Sequence, residues 1–120
     1  MDFAILTNEI SKATFGKTVQ EYKELKGLNK KNQNLRDHMT DWELIFNMLG
    51  EKATTDITKT RDAQGFEENK QVAERGGQIA HNARKELEKE TGKSIVSNDN
   101  FLGLTENKKL GRKKDTKNKN

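Results

Sequence analysis

At 120 residues, with 35% charged and 30% hydrophobic side chains, the chain suits a single small domain with one modest core. It holds no Cys, which excludes disulfides and Cys-based zinc sites, and no apolar run of membrane-spanning length or secretory leader, so a cytoplasmic location is expected. The net charge of +4 divides unevenly: residues 1–106 carry 16 basic and 18 acidic side chains, whereas from Asn107 onward seven Lys and Arg stand against one Asp.

In chain order, Asp2 to Phe15 reads as a helix, with Phe3, Leu6 and Ile10 on one face and Gly16 as its stop. Lys17 to Leu25 reads as a second helix that sets Val19, Tyr22 and Leu25 on one side, with Thr18 and Glu21 spaced as a capping box and Gly27 closing it. Asn29 to Asn34 is polar and reads as a loop, and Leu35 to Met39 as a brief helical turn. Thr40 then precedes a run with acids in its first turn, where the helix dipole favours them. Trp42 to Leu49 is the most apolar stretch of the chain. Trp42, Ile45, Phe46 and Leu49 share a face, Leu44 and Met48 sit on another, and such a helix is expected at the centre of the core, running to about Thr60. Asp62 to Phe66 reads as a connector within which helix can resume.

Glu67 to Thr91 is the longest predicted helix, ended by Gly92. Its apolar stripe, Val72, Ala73, Gly76, Ile79, Ala80, Ala83 and Leu87, consists mostly of small residues. Two mid-helix Gly cost about 0.5–1 kcal/mol each relative to Ala, so close packing must offset them. Ala73, Gly76, Gly77, Ala80 and Ala83 are therefore the candidate helix-packing or interface residues, and Ala80→Leu is expected to destabilise by about 1–3 kcal/mol. Ile95 and Val96 suit an extended segment. Phe101, Leu102 and Leu104 are expected to fold back on the core, closing a helical domain over residues 1–104. Residues 105–120 read as a flexible Lys-rich tail.

Chemistry-bearing patterns are few. His38 and His81 lie far apart, without ligand spacing, and His81 has Arg84 and Lys85 one turn away, a poor setting for a cation. Gly92-Lys93-Ser94 resembles the end of a phosphate loop, but the Gly required five residues earlier is Leu87, and a helix rather than a strand precedes it, so a helix stop is the reading. Glu67 and Glu68 point in different directions on a helix and make no acid–base pair. The Glu86–Lys93 charges read as a solvated face. No enzyme, metal or cofactor is expected. The basic tail, Lys108, Lys109, Arg112, Lys113 and Lys114 among its residues, can attract phosphates without reading sequence, with Arg75, Arg84 and Lys85 as a supporting patch.

Taken together, several runs resemble a known family: DFAILTN from Asp2 to Asn8, YKELKGL from Tyr22 to Leu28, LRDHMT from Leu35 to Thr40 and DAQGFEEN from Asp62 to Asn69. The stretches from Ala83 to Leu87, Thr91 to Lys93 and Asn100 to Leu102 fit the same pattern. Over residues 2–102 the chain resembles the C-terminal region of DNA-damage-inducible protein D and related prophage antirepressor proteins. The resemblance implies a context in the DNA-damage (SOS) response or prophage regulation, and a Bro-type DNA-binding domain ahead of this region. The chain begins where such a domain would end, so DNA binding by that domain does not transfer to these residues, and the family supplies no catalytic residues.

The resulting expectation is an all-α domain: a small helical bundle with one long C-terminal helix, followed by a disordered basic tail. It would act as a non-catalytic interaction module in contact with a protein such as a recombinase filament or phage repressor, or with a second copy of itself. The alternative is non-specific nucleic-acid binding through the tail.

Overall fold

The computed structural model describes residues 3–30 and 32–100. These form four α-helices, α1 (Phe3–Phe15), α2 (Val19–Leu25), α3 (Asp41–Arg61) and α4 (Gly65–Thr91), with a 3-10 turn at Leu35–His38 and no strand among the described residues. The protein is the all-α bundle with a long final helix that the periodicity predicts. The expected tail, Lys108, Lys109, Arg112, Lys113 and Lys114 included, and the clip at Phe101, Leu102 and Leu104 lie outside the described residues.

Local chemistry sets the helix starts. Thr18 Oγ1 accepts from the Glu21 N–H at 3.1 Å while the Thr18 N–H donates to Glu21 Oε1 at 2.8 Å, the reciprocal capping box that the spacing predicts. Thr40 and Glu43 repeat the arrangement at the start of α3, at 3.4 and 2.9 Å. Asp62 takes the left-handed conformation after α3 (φ 51), and helix resumes at Gly65, so the expected connector shrinks to residues 62–64. The Gln64 N–H is satisfied by Glu68 Oε2 at 2.7 Å. The predicted start of α4 at Glu67 is thus two residues late.

α3 and α4 form an antiparallel hairpin, with Gly76 against Thr54 and Ala80 beside Gly50, and α1 lies across both. The largest apolar cluster collects Phe15, Tyr22, Leu28, Leu35, Met39, Phe46 and Ile95, with Phe15 and Tyr22 edge to face at 5.1 Å. It draws on every element up to α3 and on the segment after α4.

The orientation of α3 departs from expectation. Trp42, Ile45 and Met48 are 48%, 48% and 49% exposed, whereas Glu43, Phe46 and Gly50 are buried. α1 and α4 both pack on the same side of α3, so its other side faces solvent, and the inward slot at its first turn is filled by a carboxylate instead of the indole. In α1, likewise, the buried residues are Ser11, Thr14 and Phe15, with Leu6 and Ile10 half-buried. Ile95 is buried but forms no extended pairing. Residues 92–100 run as a series of bends.

Candidate functional site

The small-residue stripe is occupied inside the molecule. A Cβ added at Gly76 would stand 2.0 Å from Thr54 Oγ1 and 2.7 Å from the Thr54 backbone nitrogen. One at Gly77 would stand 2.5 Å from Ala13 Cβ and 2.9 Å from the Ile10 carbonyl oxygen. Ala73 and Ala80 are fully buried, and Ala83 is half-buried against the apolar cluster. Thr14 Oγ1 donates across the crossing to the Gly77 carbonyl at 3.4 Å. Ala73, Gly76, Gly77 and Ala80 therefore lie buried where α4 meets the rest of the fold, and Ala83 lies at the edge of that contact.

A buried polar node links α2, α3 and the segment after α4. The side chains of Tyr22, Lys26 and Glu43 have no measurable exposure. Lys26 donates to Glu43 Oε1 and to the Asp99 carbonyl, and the Tyr22 hydroxyl donates to Glu43 Oε2. The Thr40 N–H completes Oε1 and the Ser97 N–H, at 3.4 Å, completes Oε2. Burial, and then the hydrogen bond to Glu43 and its charge, push the Tyr22 phenol well above its ordinary value of 10.0. Asn100 closes the link, donating to the Lys26 carbonyl at 3.2 Å and meeting His38 Nδ1 at 2.6 Å through Oδ1. His38 is buried by this contact, in a structural setting.

Sequence reasoning missed this node. Two signals pointed to it: the Thr40-x-x-Glu43 spacing of a capping box, and Tyr22 and Lys26 one turn apart on an otherwise apolar helix face.

Arg84 also departs from the expected basic patch. It is buried, its Nε donating to the Thr14 carbonyl at 2.9 Å, Nη1 to Glu88 Oε2 at 2.9 Å, and Nη2 meeting His81 at 3.1 Å. With its guanidinium used between α1 and α4, it is not available to a phosphate. Glu88 in turn accepts from the Ile95 N–H at 2.8 Å. Burial alone would raise the Glu88 carboxyl, but the Ile95 N–H and the Arg84 charge outweigh it and hold the group below the ordinary glutamate value. The expected solvated face of Glu86–Lys93 thus contains one carboxylate that ties down the following segment. Gly92, in the left-handed conformation, ends α4 with its N–H on the Glu88 carbonyl at 2.8 Å, so the phosphate-loop look-alike is a helix stop.

Among the described residues, the most exposed large apolar side chains lie on the outer face of α3. Trp42 stacks on Phe46 at 5.7 Å and 27° but leaves its other face in solvent, and Ile45 and Met48 continue the apolar strip. Beside Trp42 a groove of about 480 Å³ runs between the start of α3, the end of α4 and the 93–99 segment, lined by Leu87, Ile95 and the hydroxyls of Thr40, Thr91, Ser94 and Ser97. Lys93 and Asp99 add one charge of each sign to the lining. Such an arrangement can bury apolar side chains and hold a few backbone hydrogen bonds.

Among the described residues no group of three His, Cys, Asp or Glu is placed to hold a metal ion, and no helix is long and apolar enough to cross a membrane. Comparison with protein-family models, with curated proteins and with solved structures finds no match to this chain.

Proposed function

We propose that this chain is a non-catalytic helical interaction module that docks a protein through the outer face of α3. The observation that carries the reading is the exposed strip of Trp42, Ile45 and Met48 on a protein otherwise sparing with apolar residues. Exposed apolar side chains aligned on one helix face mark interaction sites, and Trp is the residue type most enriched at their energetic centres. The resemblance to the C-terminal region of DNA-damage-inducible proteins and prophage antirepressors supplies the context: regulation of the DNA-damage response or of a prophage, with a recombinase filament or a phage repressor as the protein contacted.

Trp42 is the chain's single tryptophan, so its emission reports on this face alone. Titration with a recombinase filament or a phage repressor is expected to shift that emission to the blue as the indole leaves water, and Ile45→Glu is expected to abolish the shift. An emission spectrum indifferent to both proteins removes the support for this reading.

The charge distribution favours one second reading, non-specific nucleic-acid binding by residues 107–120, where seven cations face one anion. Removal of those residues is then expected to abolish binding to duplex DNA together with its salt dependence. Binding that survives the deletion excludes the tail as its source.

A further inference from the structure

The outer face of α3 carries a charge order that selects its occupant. Asp41, Ile45, Met48 and Lys52 are all exposed and recur at steps of four, three and four residues, the spacing of a coiled-coil seam. The seam covers about three turns, with an acid at its first position, two apolar residues at its centre and a base at its last. Trp42 and Leu49 flank it along one side.

We infer that this face pairs with α3 of a second copy of the chain, antiparallel, about a two-fold axis midway between Ile45 and Met48. The inference rests on the docking reading above and makes a second copy the occupant of that face in the isolated protein, to be displaced when a recombinase filament or phage repressor docks there. In that register Ile45 of each copy meets Met48 of the other, Trp42 lies beside Leu49, and Asp41 faces Lys52 twice over. The pattern is self-complementary, as a two-fold interface requires. The parallel arrangement sets Asp41 against Asp41 and Lys52 against Lys52, so the charges favour the antiparallel one. Lys52 is held within its own helix only by Asp56 at 3.0 Å, an exposed pair that gives little resistance to exchange. The stripe on α4, the other obvious seam, is filled by α1 and α3 and cannot serve. Three turns make a small interface, so the pairing is micromolar rather than nanomolar.

Sedimentation of the full 120-residue chain from low to high micromolar concentration tests the inference. The mass is expected to rise from the 13.7 kDa of one chain to that of two, and Ile45→Glu is expected to hold it at one throughout. Asp41→Lys and Lys52→Glu are each expected to weaken pairing about tenfold, since two attractions become two repulsions, and the double exchange to restore most of it. All three positions are exposed, and circular dichroism melts confirm that each variant folds.

A single-chain mass at the highest concentration overturns the inference. So does pairing that ignores Ile45→Glu, or a double exchange no better than either single one. If the chain stays single while Trp42 emission still responds to a recombinase filament or phage repressor, the second-copy inference fails and the docking reading stands.

Discussion

Where α1, α3 and α4 cross, the contacts are made by Gly50, Gly76, Gly77 and Ala80. Where α2 and the 95–100 segment meet α3, they are made by Tyr22, Lys26 and Glu43. Both regions are buried, yet they hold by opposite means. The crossing works because side chains are missing: backbones approach closely, and dispersion over many atoms replaces large apolar groups. The node works because every polar atom present has a partner, which is what makes a buried ion pair tolerable. The crossing is therefore vulnerable to an added atom and the node to a removed one.

Removal at the node is expected to have the largest effect. Glu43→Ala leaves the Lys26 ammonium buried without its carboxylate, and it also strips the partners of the Tyr22 hydroxyl and of the Thr40 and Ser97 N–H groups. The expected loss is about 3–5 kcal/mol in urea denaturation, a large share of the 5–15 kcal/mol typical of a domain. Glu43→Gln keeps hydrogen-bonding capacity but not the charge, and falls between. Glu21, the matching residue of the exposed capping box, is the control: Glu21→Gln retains the cap geometry and leaves the denaturation midpoint nearly unmoved. Equal effects at the two glutamates contradict the distinction between the boxes.

Addition at the crossing comes next. Gly76→Ala puts a methyl 2.7 Å from the Thr54 backbone nitrogen, which cannot rotate away as Thr54 Oγ1 can. Overpacking of about 1–3 kcal/mol is expected to exceed the roughly 1 kcal/mol that Ala gains over Gly in a helix. Gly50→Ala meets only side-chain atoms, Thr14 Oγ1 at 2.8 Å and Ile10 Cγ2 at 3.1 Å, and is expected to melt closer to the parent. Ala80→Leu, at a fully buried position, belongs with Gly76→Ala. A Gly76→Ala protein that melts at or above the parent's temperature removes the close crossing.

The crossing was legible in the sequence and the node was not, for a physical reason. Small residues recurring at helical spacing have few uses other than close packing, so Ala73, Gly76, Gly77 and Ala80 announce their place. Ionisable residues ordinarily face water, and although the capping-box spacing marks Glu43 and the apolar face marks Lys26, neither local signal tells that the two, 17 residues apart, meet in the interior. The same gap explains α3. Its apolar residues span so wide an arc that periodicity locates a face without saying which neighbours will cover it. Trp42 suggests a core position by its size alone, whereas the inward position at that turn belongs to Glu43. The outer strip of α3, on which the proposed function depends, is set by the packing of α1 and α4 on one side of the helix, which no local pattern in α3 encodes.

The effect of the node confined to one end of the pH scale, and absent at neutral pH, is also the most specific. The Tyr22 phenol is raised well above 10.0 by its burial and by Glu43, so the folded protein keeps a proton that the unfolded chain gives up. A group of this sign stabilises fully below its unfolded value and loses that contribution as pH rises. Stability is therefore expected to fall by about 1.4 kcal/mol per pH unit above 10, up to the raised folded value. Tyr22 is the chain's single tyrosine, so phenolate absorbance reports on it alone. In an alkaline titration that signal is expected to rise together with the loss of helical circular dichroism, not ahead of it, and Tyr22→Phe is expected to flatten the stability slope over the same range. Phenolate appearing with an ordinary midpoint while the helices persist places Tyr22 in contact with solvent and breaks the node at its hydroxyl.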